Sequence, residues 1–96
     1  MASKYTESAR GQNCTVRLPG TCNHRPETTV LAHLNGGGMA IKHSDIHGCY
    51  ACSDCHTWLD RGYTQQGVTR KDRDLIHLKA ILETQQIMIK TGVLVL

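Results

Sequence analysis

Five cysteines punctuate a chain of 96 residues, and two of them have the spacing of a metal-ligand pair. Cys52 and Cys55 stand two residues apart, the separation at which a turning backbone presents two thiolates to one ion before it enters a helix. Cys14 and Cys22 form a second pair across a seven-residue segment containing Pro19-Gly20, a strong turn signal. That gap is wider than the usual two to four residues, and a hairpin closes it. Cys14, Cys22, Cys52 and Cys55 are therefore the expected ligands of one structural zinc ion. Cys49 leaves an alternative open, because Cys49, Cys52 and Cys55 repeat the two-residue spacing and offer three ligands. Buried thiols without metal are the blander reading, since cysteine is among the most buried residue types.

The size of the chain explains why it needs a staple. A domain this short buries roughly 60 to 70 percent of the surface its unfolded chain exposes. With no Phe, one Trp and three Tyr, its core is thin. Small domains of this kind rely on metal or disulfides. The amino-terminal residues carry no apolar run of signal-peptide length, so a reducing cytoplasm is the expected compartment. An odd number of cysteines there argues for metal over disulfides. No stretch approaches the ~18 apolar residues of a membrane span. A net charge of +3 permits contact with a polyanion without requiring it.

A single α+β domain over residues 1–96 follows from the pattern. Residues 1–10 form an amino-terminal extension with a helical turn over 4–10. Cys14 to Leu18 alternates like a strand and Thr28 to Leu34 reads as a buried strand, broken by Gly36-Gly37-Gly38. Residues 39–50 read as a loop. A short helix starts at Ser53 or Asp54 and ends near Gly62. Thr69 and Asp72 stand at capping-box spacing ahead of a helix over 69–91. Its apolar positions Leu75, Leu78, Ile81, Leu82, Met88 and Ile89 make the expected core face, and Gly92 stops it.

Several blocks together carry a resemblance: Ala9-Arg10-Gly11, Cys14 through Asn23, Pro26-Glu27-Thr28, Val30-Leu31-Ala32-His33, Ala51-Cys52-Ser53-Asp54-Cys55-His56 and Asp60-Arg61. The sequence resembles the YbcO family of small phage and prophage proteins, regarded as nucleases. More distantly the layout is similar to the HNH, or ββα-metal, fold. There a histidine on a strand, an Asn or Asp in the following loop and a histidine on a helix surround one divalent cation. The resemblance puts those positions on His33, Asp45 and His56. It implies a small zinc-stapled domain with a β-hairpin, a short metal-site helix and a longer carboxy-terminal helix. The implied activity is metal-dependent cleavage of DNA in phage recombination or DNA processing, with recombination proteins as further partners.

Phosphodiester cleavage needs a base to activate water and a cation to neutralise charge on the phosphate and leaving oxygen. On this resemblance His33 is the general base, and Asp45 and His56 hold magnesium or manganese. Asp60, four residues after His56, can orient its imidazole. Arg10, Arg17 and Lys42 are candidates for the DNA backbone, although Arg10 and Arg17 can instead pair with Glu27 or Asp60. His43 and His47 flank Asp45 and can substitute for a missing ligand, whereas His24 and His77 read as structural or surface residues. The chain departs from the HNH pattern at Ala32, where an acidic residue or a second histidine usually precedes the base. That departure leaves a non-catalytic zinc module, binding nucleic acid or a recombination partner, as the alternative.

Overall fold

The computed structural model describes residues 3–34 and 44–96. Lys42, His43 and the triple glycine 36–38 lie outside them. Helix α1, Lys4–Ser8, is capped by Ser3, whose hydroxyl accepts the Thr6 N–H. Strand β1 is Val30–His33 and strand β2 is Gly48–Ala51. They pair antiparallel, with Val30 opposite Ala51 and His33 opposite Gly48. Helix α2, Ser53–Asp60, leaves β2 after Cys52, and helix α3, Arg70–Lys90, closes the domain. The order is thus strand, strand, helix, with a short helix before and a long one after. No helix among the described residues is long and apolar enough to cross a membrane.

Two expectations from the sequence need correcting. Cys14 to Leu18 is not a strand, and Arg17 turns there with φ +49°. Nor do residues 48–50 belong to a loop, because they begin the second strand. All four residues of β2 are buried, so no polar–apolar alternation marks it. Its leading glycine is a packing requirement. A Cβ at Gly48 would lie 2.9 Å from Leu31 Cγ and 3.3 Å from the Ala32 carbonyl oxygen, so a side chain there forces Leu31 aside.

Helix α3 has the predicted ends: Thr69 caps it through the Asp72 N–H at 3.1 Å, and Gly92 follows it with φ +82°. Its buried face is the predicted one only in part, at Ile81 and Met88. Leu75, Leu78 and Leu82 are exposed, while Arg73, His77, Ala80, Ile81, Thr84 and Met88 are buried. Each polar member of that face meets a specific partner. Arg73 donates to the Leu59 carbonyl and to Asp74, each at 2.7 Å, and stacks 4.4 Å from the centre of the Tyr63 ring. Thr84 accepts the Tyr50 N–H at 3.1 Å and shares a 3.0 Å hydrogen bond with the Thr15 hydroxyl. Thr15 in turn donates its N–H and hydroxyl to the Tyr50 carbonyl, at 2.7 and 2.9 Å.

The core has two parts. One gathers the buried cysteines, Ala32, Trp58, Leu59, Tyr63 and Ile81. The other joins Ala9, Leu31, Tyr50 and Met88 to Tyr5, Val93 and Leu94. The second part makes the amino-terminal segment integral to the fold, and Ser8 bonds the Tyr50 hydroxyl at 2.7 Å.

Fully buried His77 places Nε2 2.9 Å from the Ala32 carbonyl oxygen, while its Nδ1 has no hydrogen-bond partner. A carbonyl only accepts, so Nε2 carries the proton and the ring is neutral. Burial pushes the imidazole below its ordinary pKa, and the Arg73 charge pushes the same way.

Two predictions follow from these buried polar groups. Thr84→Val strips partners from Tyr50 and Thr15 and should cost about 1–3 kcal/mol, read by urea denaturation. For His77 the unfolded state binds the proton more readily than the folded one. Its contribution is therefore full above the ordinary histidine pKa of roughly 6.5 and is lost as pH falls through and below that value. Unfolding free energies of the wild type and His77→Gln, measured between neutral and mildly acid pH, should show a shallower acid-side loss in the variant.

Candidate metal centre and histidine–carboxylate site

The cysteine cluster is assembled from two loops and a helix start. Asn23 Nδ2 donates to Ser53 Oγ at 3.1 Å, and the Ser53 N–H donates to Thr28 Oγ1 at 3.2 Å. These bonds fasten the segment after Cys22 to the start of α2. Cys52 is the cap residue of α2, and its sulfur accepts the Cys55 N–H at 3.4 Å. Cys14 Sγ accepts the Arg17 N–H at the same distance, which the left-handed turn at Arg17 makes possible. Gly20 supplies the other left-handed residue of this segment, φ +75°, in the expected Pro-Gly turn.

The ligand atoms of Cys14, Cys22, Cys52 and Cys55 all lie within 4.8 Å of one another. Four sulfurs about 2.3 Å from a tetrahedral ion sit about 3.8 Å apart, and Cys22 Sγ to Cys52 Sγ is 3.8 Å. Electrostatics agree with this geometry. Cys14 is held down to about 4, chiefly by the hydrogen bond from Cys55, and the same bond drives the Cys55 thiol upward. Desolvation raises Cys22. Without a cation Cys14 takes the charge while Cys22 and Cys55 are pushed toward the protonated form; a cation at the centre removes that conflict. Peptide N–H groups aimed at sulfur complete a setting built for thiolates, so the four residues fit a bound metal such as zinc.

Cys49 is outside the cluster. It is fully buried in β2, and burial pushes its thiol up to about 12. Among the described residues the sulfurs brought together are those of the two cysteine pairs, and Cys49 is not one of them.

A second group of polar side chains lies at the other end of the sheet. His33 ends β1, and Asp45 opens a 3-10 turn, Asp45–His47, directly before β2. His33 Nε2 is 2.5 Å from Asp45 Oδ1. The turn is braced on both sides: the Leu34 N–H donates to the His47 carbonyl at 2.9 Å, and Gln85 of α3 donates to the Ile46 carbonyl at 2.6 Å. Ser3 donates its hydroxyl to Asp45 Oδ2. The hydrogen bonds from Ser3 and then His33 hold the Asp45 carboxyl below its ordinary range. Because a carboxylate only accepts, Nε2 of His33 carries the proton, and in a neutral ring Nδ1 is then the basic nitrogen. That ring is 42% exposed, so a substrate can reach it.

His56 stands on the first turn and a half of α2, with Asp60 one turn later, and their Nε2 and Oδ2 atoms are 3.5 Å apart. Asp60 is thus near the imidazole that the sequence expects it to orient. His56, His33 and Asp45 do not form a group like that of the sulfurs, which is the sole such cluster among the described residues. Ala32 is buried among the cysteines and aromatic residues of the core. His24 lies beside Cys22, with Nδ1 3.7 Å from the sulfur.

The arginines find partners other than those considered from sequence. Arg10 pairs with Glu7 at 3.0 Å, and Arg17 makes two 2.6 Å bonds to Glu83. The latter ties the first cysteine loop to α3. Sequence reasoning missed Ser3 and Gln85, whose contacts reach 42 and 39 residues along the chain. Ser3 carries only the signal of a helix cap, and Gln85 carries none.

A small α+β domain with a four-cysteine cluster and a strand-end histidine–carboxylate pair is the class that fold and site define. A family model described as "Putative nuclease YbcO" matches residues 3–93, and the chain belongs to that family. Relatives described as "Putative nuclease YbcO" in Escherichia coli K12 and in Enterobacteria phage 82 are each 38% identical over 93 residues. Those matches cover 92% of this chain and 93% of each relative. A solved structure described as a bacteriophage protein from Escherichia coli K-12 MG1655 superposes with a TM-score of 0.73. It shares 39% identity over 91% of this chain and 98% of its own.

The cluster predicts a sharp contrast between cysteines. Cys55→Ser should lose the bound metal and the cooperative far-UV circular dichroism transition, since a structural zinc site contributes on the order of 10 kcal/mol. Cys49→Ala should keep a full equivalent of metal by elemental analysis.

Proposed function

We propose that this protein is a metal-dependent endonuclease of the HNH type that hydrolyses phosphodiester bonds in DNA, with zinc in the four-cysteine site as its structural staple. The observation that carries the reading is the His33–Asp45 pair at 2.5 Å. It stands where the first strand ends, ahead of a second strand and a helix bearing His56. The family description and the strand–strand–helix order support it.

His33 Nδ1 takes a proton from water, whose oxygen attacks phosphorus while the bond to the leaving oxygen breaks; that oxygen gains its proton from solvent. Asp45 fixes the His33 tautomer and ring plane. Asp45 and His56 would hold a magnesium or manganese ion, with Asp60 orienting His56; when bound, the ion supplies charge neutralisation at the phosphate. A carboxylate has about four lone-pair sites, so the bonds to His33 and Ser3 leave Asp45 able to do so. Arg10, Arg17 and Lys42 are proposed phosphate contacts, Arg17 only after exchanging Glu83 for phosphate. The phage relative favours a role in phage DNA processing, in the cytoplasm and beside recombination proteins.

One observation favours a non-catalytic zinc module that binds nucleic acid: the sulfur cluster is the sole group of three or more potential ligands among the described residues. Supercoiled plasmid incubated with manganese or magnesium separates the two. Nicking or linearisation should appear with the wild type and fall at least about a hundredfold in His33→Ala, as expected on loss of a general base, with bound zinc unchanged. Equal cutting by the variant removes His33 from the mechanism, and salt-sensitive binding without turnover favours the module.

A further inference from the structure

The amino-terminal residues read from sequence as an extension, yet the structure brings one of them to the proposed site. Ser3 makes three contacts with one hydroxyl, one of them with the Thr6 hydroxyl at 3.3 Å. It accepts the Thr6 N–H at 3.2 Å, which caps α1, and it donates to Asp45 Oδ2. The other carboxylate oxygen, Oδ1, takes His33 Nε2. Ser3, Asp45 and His33 therefore form a continuous hydrogen-bonded chain from the first helix to the end of β1.

We infer that Ser3 is a positioning residue for the His33–Asp45 pair, making α1 a working part of the site. Three observations carry this. First, a carboxylate held at one oxygen can rotate about its Cβ–Cγ bond; held at both oxygens by groups on different elements, it cannot. Second, the anchor is fixed in place. Tyr5 and Ala9 pack into the second core cluster, and Ser8 bonds both the Tyr5 carbonyl, at 2.6 Å, and the Tyr50 hydroxyl, at 2.7 Å. Third, Tyr50 lies opposite Leu31, two residues before His33, so α1 and the His33 strand share one packed unit. Asp45 is then clamped from α1 on one side, while Gln85 of α3 braces its turn from the other.

The inference rests on the nuclease reading for its catalytic consequence, and the test keeps the two separable. Three variants of the full, zinc-loaded chain distinguish positioning from capping. Ser3→Ala loses both the cap and the donor. Ser3→Asp keeps a good cap but has no proton to give and sets a second carboxylate against Asp45. Ser3→Thr keeps both functions. Folding is checked by circular dichroism and bound zinc.

Single-turnover plasmid cutting should drop about tenfold in Ser3→Ala and at least as much in Ser3→Asp, the scale seen for groups that orient a ligand or base. DNA affinity should hold, and Ser3→Thr should recover most of the rate. The ring 15N resonances of His33, recorded without DNA or divalent cation at one pH, should move in Ser3→Ala and Ser3→Asp and stay in place in Ser3→Thr. If Ser3→Asp behaves as wild type in both measurements, Ser3 is only a cap and the inference is overturned. Unmoved His33 resonances in Ser3→Ala overturn it as well. Should the wild type cut no DNA, moved resonances still establish the positioning contact, and the nuclease reading alone fails.

Discussion

Four sulfur atoms crowded into one small volume set the terms for the rest of the molecule. They come from a loop near the amino terminus and from the threshold of α2, segments 30 residues apart at their nearest cysteines. Sulfurs so close cannot all be charged without a cation, nor do four thiols fill a core as well as aliphatic groups. The domain accepts that arrangement because its other core resources are small. A metal contribution on the order of 10 kcal/mol is comparable with the entire stability of an ordinary domain, about 5–15 kcal/mol. The cluster also fixes direction. Cys52 is both a sulfur of the cluster and the helix cap, so the cluster is tied to where α2 starts, and so to which side chains α2 turns away from the sulfurs.

The opposite end of the sheet is built on another principle. His33 and Asp45 are partly exposed, and each sits on a short piece whose backbone is tied to its neighbours. The strand is fixed by pairing, by packing of Leu31 against Gly48, and by His77 on the Ala32 carbonyl. The turn is fixed by Gln85 and by the Leu34 N–H. The pair can remain partly exposed without being loose. Orientation here comes from hydrogen bonds between elements, the kind of support that holds a reactive side chain to a narrow geometry.

What the sequence revealed follows from how local each feature is. The cysteine pairs were legible because a knuckle is encoded within a few residues. The ends of α3 were legible for the same reason: Thr69 and Gly92 act on their immediate neighbours. The buried face of α3 was legible only at Ile81 and Met88, because hydrophobicity favours three leucines over His77, Thr84 and Arg73. Those three are buried only because the Ala32 carbonyl, the Tyr50 N–H and the Leu59 carbonyl wait for them elsewhere in the chain. Strand β2 escaped notice because a strand covered on both faces shows no alternation and this one begins with glycine. Conversely, the alternation of Cys14 to Leu18 looked like a strand but came from a turn arranged around one sulfur. The resemblance proposed the histidines, and their hydrogen-bond partners were readable only in three dimensions.

The threonines that flank Tyr50 have an effect beyond the monomer. A two-stranded sheet has two outer edges, and each is a template on which another chain can grow. Thr15 and Thr84 consume the N–H and carbonyl of Tyr50, sealing the β2 edge from within. On the other strand Val30 is 41% exposed. A chain that paired along β1 would run beside His33 at its end, so self-association of that kind would crowd the proposed base.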